Sequence, residues 1–106
     1  MALKSWAYLF LSPGFNPEKH RTEMESSHTK VTLIGIDIKK KEDVINVAKN
    51  LVKEGIQMIE LCGGFGPIWV SKVSEAIRYA IPVGSVTYGP EARKPLLDLL
   101  SKTAAE

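Results

Sequence analysis

The sequence predicts an α/β fold: one domain with a four-stranded parallel sheet between two helical layers, a three-layer sandwich of Rossmann- or flavodoxin-like form. Two observations predict it. Apolar runs of strand length alternate with segments whose apolar residues recur at helical spacing. The strand-like runs are also apolar on both faces, as strands of a covered parallel sheet are.

The first run, Ser5 to Leu11, reads as a strand with Trp6, Tyr8 and Phe10 on one face and Ala7, Leu9 and Leu11 on the other. Ser12 to Pro17 is turn chemistry, with two prolines, a glycine and an asparagine. Asn16-Pro17-Glu18 then carries the marks of a helix start: a capping Asn, Pro at the first helical position and an acidic residue beside the positive end. Between Glu18 and Glu25 the sole apolar residue is Met24, so the helix expected there is short and weakly anchored.

Lys30 to Ile36 is the second predicted strand. Glu42 to Glu54 follows as a helix, with Val44, Ile45, Val47, Ala48, Leu51 and Val52 at helical spacing and Gly55 as its stop. Gln57 to Cys62 is the third strand. Pro67 opens the next helix, whose apolar face is Val70, Val73, Ala76 and Ile77. Pro82 limits that helix, and Val83 to Tyr88 is the fourth strand. Residues 90–106 form a helical tail with a stripe of Leu96, Leu97, Leu99 and Leu100. Pro95 starts this last helix rather than interrupting it, since an interior proline costs about 3 kcal/mol.

Strand order decides where a ligand could bind. Counting the predicted strands, the order 2-1-3-4 places the helices Glu42–Glu54 and Pro67–Tyr79 on one face, and the weak helix with the leucine tail on the other. It puts the reversal of winding between strands one and three, where open α/β sheets bind ligands beyond the carboxyl ends of their strands. The loops there are Ser12-Pro13-Gly14-Phe15 and Cys62-Gly63-Gly64-Phe65-Gly66. The rival order, 1-2-3-4, is half of a barrel; it would separate those loops and invite closure by another subunit.

Composition sets bounds. The chain has 106 residues, 44% of them hydrophobic and 25% charged, which is one soluble globular domain of ordinary make-up. A core of this size is small, and a homo-oligomer is expected for that reason. A net charge of +2 gives no ground for nucleic-acid binding. Lys39-Lys40-Lys41 is followed at once by Glu42 and Asp43; it reads as a solvated connection, with a phosphate contact as the sharper alternative. A single cysteine excludes an internal disulfide. The apolar run Trp6 to Leu11 is shorter than a signal-peptide core, and no stretch approaches transmembrane length, so no membrane contact and a cytoplasmic location are expected.

At the two rim loops the chain resembles a known group. Ser12-Pro13-Gly14-Phe15-Asn16-Pro17 and Ile59-Glu60-Leu61-Cys62-Gly63-Gly64-Phe65-Gly66 are similar to segments of a family of short, uncharacterised bacterial and archaeal proteins, a domain of unknown function. The resemblance covers Trp6 to Tyr88. It implies a compact α/β unit and no assigned activity, and it implies that the tail after Gly89 is an addition.

The loop residues themselves allow several chemistries. Glu60 shares a strand face with Met58 and Cys62. It is either a structural carboxylate met by donors at a strand end, or a general base or ligand-orienting acceptor. Cys62 is either a packing residue or a nucleophile; the second role needs a cation, base or helix N-terminus nearby. His20 and His28 lie in the first long connection and read as solvent-exposed. Gly63, Gly64 and Gly66 could offer N–H groups to an anion or could simply form a tight turn. The dinucleotide fingerprint fails because Trp69 stands where its third glycine belongs, and no P-loop sequence is present. Phe15 and Phe65 either face each other across an apolar pocket or close the ends of the core. Two histidines and one cysteine without ligand spacing give no metal site, and no cofactor is implied.

Three functions follow as expectations. The first is a binding domain for a small, partly apolar anion, using Ser12, Gly14, Phe15, Gly63, Gly64, Phe65 and Gly66. The second is a small enzyme on a carbonyl or acid substrate, with Glu60 as base and Cys62 as acid or nucleophile. The third is a structural or regulatory subunit with Trp69 and the leucine stripe at a subunit contact.

Overall fold

The computed structural model describes residues 2–103. The elements in order are β1 (Ser5–Leu11), β2 (Arg21–Glu25), β3 (Lys30–Ile36), a 3-10 turn (Ile38–Lys40), α1 (Asp43–Lys53), β4 (Ile59–Leu61), α2 (Gly66–Ala76), β5 (Val83–Ser85), a 3-10 turn (Pro90–Ala92) and α3 (Arg93–Thr103). The fold is α/β, as expected, but the sheet is mixed and has five strands, in the order β2-β3-β1-β4-β5. The four strands read from the sequence keep their expected order relative to one another, with β1 between β3 and β4 and parallel to both. That arrangement excludes the half-barrel order.

The extra strand replaces the weak helix expected over residues 18–25. Asn16 behaves as a turn residue rather than a helix cap. Its side chain accepts the Glu18 N–H, and its carbonyl accepts the N–H groups of Lys19 and His20. The chain then extends as β2, antiparallel to β3. At the hairpin end, Ser26 Oγ accepts from the His28 and Thr29 N–H groups, closing a tight polar turn. Every residue of β2 is exposed, and its charged residues suit a sheet edge.

The core lies on one face of the sheet. Ala7, Leu9, Ile34, Ile36, Ile59 and Leu61 meet Val44, Ala48 and Leu51 of α1 and Val73 of α2. Each fully buried Val, Leu or Ile side chain contributes about 1.5–3 kcal/mol relative to exposure. α1 ends as its sequence dictates. Gly55 adopts φ +90°, Ile56 N–H reaches the Leu51 carbonyl and Gly55 N–H the Val52 carbonyl, which is the Schellman arrangement. Pro95 is the third residue of α3, within the first turn, where its missing N–H has no intrahelical partner to lose.

The second face departs from the three-layer expectation. One element assigned to cover it, the weak helix, is a strand in the sheet itself. The other, α3, leaves every residue from Arg93 to Ser101 exposed except Leu96, which is half-buried. Trp6, Tyr8, Phe10, Val31 and Leu33 on this face are consequently only half-buried, and Met24 is 74% exposed. Residues 104–106, the end of the expected tail, lie outside the described residues.

Candidate functional site

The two predicted loops meet at one rim. β1 and β4 are hydrogen-bonded neighbours and run the same way, so the turns that follow them stand side by side. Where the strands end, Cys62 N–H donates to the Leu9 carbonyl at 2.9 Å. The Cys62 carbonyl does not continue the ladder: it accepts Phe65 N–H at 3.1 Å as the chain turns. Its thiol takes the vacated acceptor position, and Leu11 N–H donates to Cys62 Sγ at 3.3 Å. A Cβ on Gly64 would lie 3.5 Å from that sulfur and 3.6 Å from Leu11 Cδ1. On the other side, a Cβ on Gly63 would lie 3.3 Å from the Val86 carbonyl oxygen, just past β5. The turn is therefore packed between the ends of two strands while both glycines remain exposed. Among the described residues the N–H groups of Gly63 and Gly64 make no hydrogen bond.

Ser12 is held at the same rim by its N–H bond to the Ile36 carbonyl, 3.0 Å. The Lys39-Lys40-Lys41 run follows β3 and so also stands at this end of the sheet. Gly14 and Gly66 adopt φ +81° and +78°, conformations that only glycine takes without strain. Their first role is to shape the turn and the entry to α2.

Phe15 and Phe65 do not face each other. Phe65 is 4% exposed and belongs to the core on the helical side, with its ring 6.5 Å from that of Trp69. Phe15 lies on the opposite face, edge-to-face with Phe10 at 5.1 Å and His20 at 5.0 Å. It covers Gly35, where a Cβ would overlap the Phe15 ring. Leu61 points into the core, and the turn that follows β4 brings Phe65 back over the same side. Phe15 instead lines a cavity of about 250 Å³ with Phe10, Leu33, Lys19, His20 and Thr22. A second cleft, about 270 Å³, lies between β2 and α1 and includes Arg21, Asn46, Asn50 and Glu54. Neither is lined by the Gly63–Gly66 turn.

Glu60 lies on the open face, in register with Tyr8 on one side and Gly84 on the other. Burial raises the Tyr8 hydroxyl above its ordinary range, and the nearby Cys62, Tyr88 and Glu60 raise it further because each is anionic when ionised. Two phenols, a thiol and a carboxylate thus gather on this face. Tyr8 was missed as a site residue, although its signal was legible: it alternates with Trp6 and Phe10 and sits on the strand next to that of Glu60. His20 and His28 are exposed, as expected; His20 Nδ1 accepts the Asn16 N–H at 2.9 Å, and His28 stands in the hairpin turn. Trp69 is half-buried on α2, with Lys72 Nζ 4.4 Å from its ring centre.

Among the described residues, no group of three His, Cys, Asp or Glu side chains is placed to hold a metal ion. None of their helices is long and apolar enough to cross a membrane. No curated protein and no solved structure matches the chain. A family model does match, from residue 4 to residue 101. The match extends through Ser101 of α3, so the helix after Gly89 is part of the family's pattern rather than an addition. By this match the chain belongs to DUF6506, a family of unknown function.

Proposed function

We propose that the chain is a binding domain for a small, partly apolar anion held at the carboxyl rim of the sheet. The acidic group of the ligand is held by the N–H groups of Gly63 and Gly64, with Ser12 as a further polar contact. Its apolar part lies toward Phe10 and Phe15 on the open face. The observation that carries this reading is the pair of N–H groups without a hydrogen bond on two exposed glycines, in a turn packed between the ends of β1 and β5. Successive backbone donors in a turn suit an anion, and the lysine run at the same end of the sheet adds favourable charge. Gly14 and Gly66 shape the loops, while Phe65 supports the turn from the core. Calorimetric titration with aryl carboxylates and alkyl phosphates tests the reading. Saturable binding that Gly64→Trp abolishes supports it; binding unchanged in that variant rejects it.

A second reading has its own support in the grouping of Tyr8, Glu60, Cys62 and Tyr88. It is a small enzyme with Glu60 as base and Cys62 as acid or nucleophile on a carbonyl or acid substrate. The rate of iodoacetamide alkylation across pH decides the thiol's part. A nucleophilic role requires Cys62 to react faster than free cysteine near neutral pH. A rate at or below that of free cysteine at every pH removes it.

A further inference from the structure

The described chain holds two apolar surfaces that it does not itself cover. The first is the open sheet face. β1, β3 and β2 align Trp6 with Val31 and Met24, and Tyr8 with Leu33 and Thr22, all on the side away from α1 and α2. Strands that are apolar on both sides belong to sheets covered on both faces. The second surface is α3, whose Leu97 and Leu100 are 60% and 54% exposed. A helix of this composition needs an apolar seat.

The sheet face is large enough to seat the helix, and the two are complementary in charge. At ordinary strand spacing and rise the sheet face spans about 400 Å², and an eleven-residue helix covers roughly 160 Å². The face can therefore seat α3. Among the paired strand positions on that face Glu60 is the single charged side chain. On α3, Arg93 precedes Leu97 by four residues and Leu100 by seven, so it lies on the same stripe. Neither Glu60 nor Arg93 makes an ion pair among the described residues, whereas Lys94 on α3 is paired with Asp98.

We propose that the chain forms a two-fold homodimer in which α3 of each copy lies on the open sheet face of the other, with Arg93 of one copy against Glu60 of its partner. The exchange covers part of the sheet face around Glu60, seats the leucine stripe and pairs a half-buried carboxylate with a cation in one step. A two-fold axis makes the contact reciprocal, so it closes at two copies. The dimer does not require the Gly63–Gly64 turn, and its test is independent of the ligand.

Sedimentation velocity of the full chain over micromolar concentrations tests the proposal, with Trp6 emission, read in W69F so that the second tryptophan is silent, as a second signal. The expected result is a dimer whose formation shifts Trp6 emission to the blue. L97D with L100D should give a monomer with an unchanged circular dichroism spectrum. E60K and R93E should each weaken the dimer about tenfold or more, because they place like charges together, and the two combined should restore most of the loss. Should E60K fail to fold, R93E on the exposed helix still supplies the single-variant arm. A wild-type monomer throughout the range, a dimer indifferent to L97D with L100D, or failure of the combined charge exchange to restore association would each overturn it.

Discussion

Leu11 N–H donates to Cys62 Sγ at 3.3 Å, and this bond marks the place where two adjacent strands leave the sheet. The Cys62 carbonyl has turned to Phe65, so the thiol is the acceptor that remains for a part-buried backbone donor. C62A removes it and should cost about 1–3 kcal/mol, the range for stranding a buried donor. C62S keeps an acceptor in nearly the same position and should lose less. Urea unfolding of the two variants checks the ranking; equal losses would mean that the sulfur's hydrogen bond contributes nothing.

Gly35 exists to receive a ring. A Cβ at this position would overlap Phe15, so G35A should destabilise the chain by about 1–3 kcal/mol through overpacking. In an F15A background the same change should cost less, because the closer ring is gone and only Phe10 Cζ, 3.0 Å from the added Cβ, must give way. Chemical denaturation of the two singles and the double reads the coupling directly. An additive cycle would place Phe15 elsewhere in solution.

Thr32 is fully buried, and its hydroxyl has no hydrogen-bond partner among the described residues. T32V keeps the branched shape suited to a strand and removes a desolvated hydroxyl. It should raise stability by about 1 kcal/mol. A loss of stability on thermal melting would show that the hydroxyl is satisfied.

The edge strand is tied to α1 by Arg21, which donates to both carboxylate oxygens of Glu54 at 3.0 and 2.6 Å and to Glu23 at 3.0 Å. The hydrogen bond from Arg21 holds the Glu54 carboxyl below its usual range, against a smaller opposing effect of burial. Arg21 is raised in turn, chiefly by the same bond, to beyond any working pH. A carboxyl depressed in the folded state binds fewer protons there than in the unfolded state. Its stabilisation is therefore complete above the ordinary carboxylate range and is lost as pH falls through the folded-state value. Both side chains are partly solvated, at 32% and 42% exposure, so the pair contributes about 0.5–1 kcal/mol. The stability difference between wild type and E54Q should be largest near neutral pH, shrink in acid and weaken with salt. A difference that is flat with pH would contradict the assignment.

Much of this architecture could be read directly from residues whose local and tertiary demands agree. The spacing of Val44, Ala48 and Leu51 and the stop at Gly55 specify α1 and its cap. The doubly apolar runs around Leu9 and Ile34 specify β1 and β3, and the adjacency of β1 and β4 follows from the helices that must share one face. β2 was not legible as a strand because it is an edge: Arg21, Glu23 and Glu25 form no apolar pattern, and Asn16-Pro17-Glu18 imitates a helix start. The Ser26–Thr29 cluster directly before β3 was the available sign of a hairpin. The rim could be located from Gly63 and Gly64, but the side on which each aromatic falls could not. Phe15 and Phe65 follow turns rather than strands, and alternation does not carry through a turn. Tyr8 was legible as a neighbour of Glu60, because the predicted order already sets β1 beside β4.

The central claim is that the Gly63–Gly64 turn receives an anion beside Ser12. Its most direct test is an amide-resolved NMR titration of the ¹⁵N-labelled chain with an aryl carboxylate, with the matching neutral amide as control. The Gly63 and Gly64 amide signals should move together, saturate, and respond to the acid but not to the amide. Saturable shifts confined to other residues, or no saturable shift at these two glycines with any acid tried, would contradict the claim.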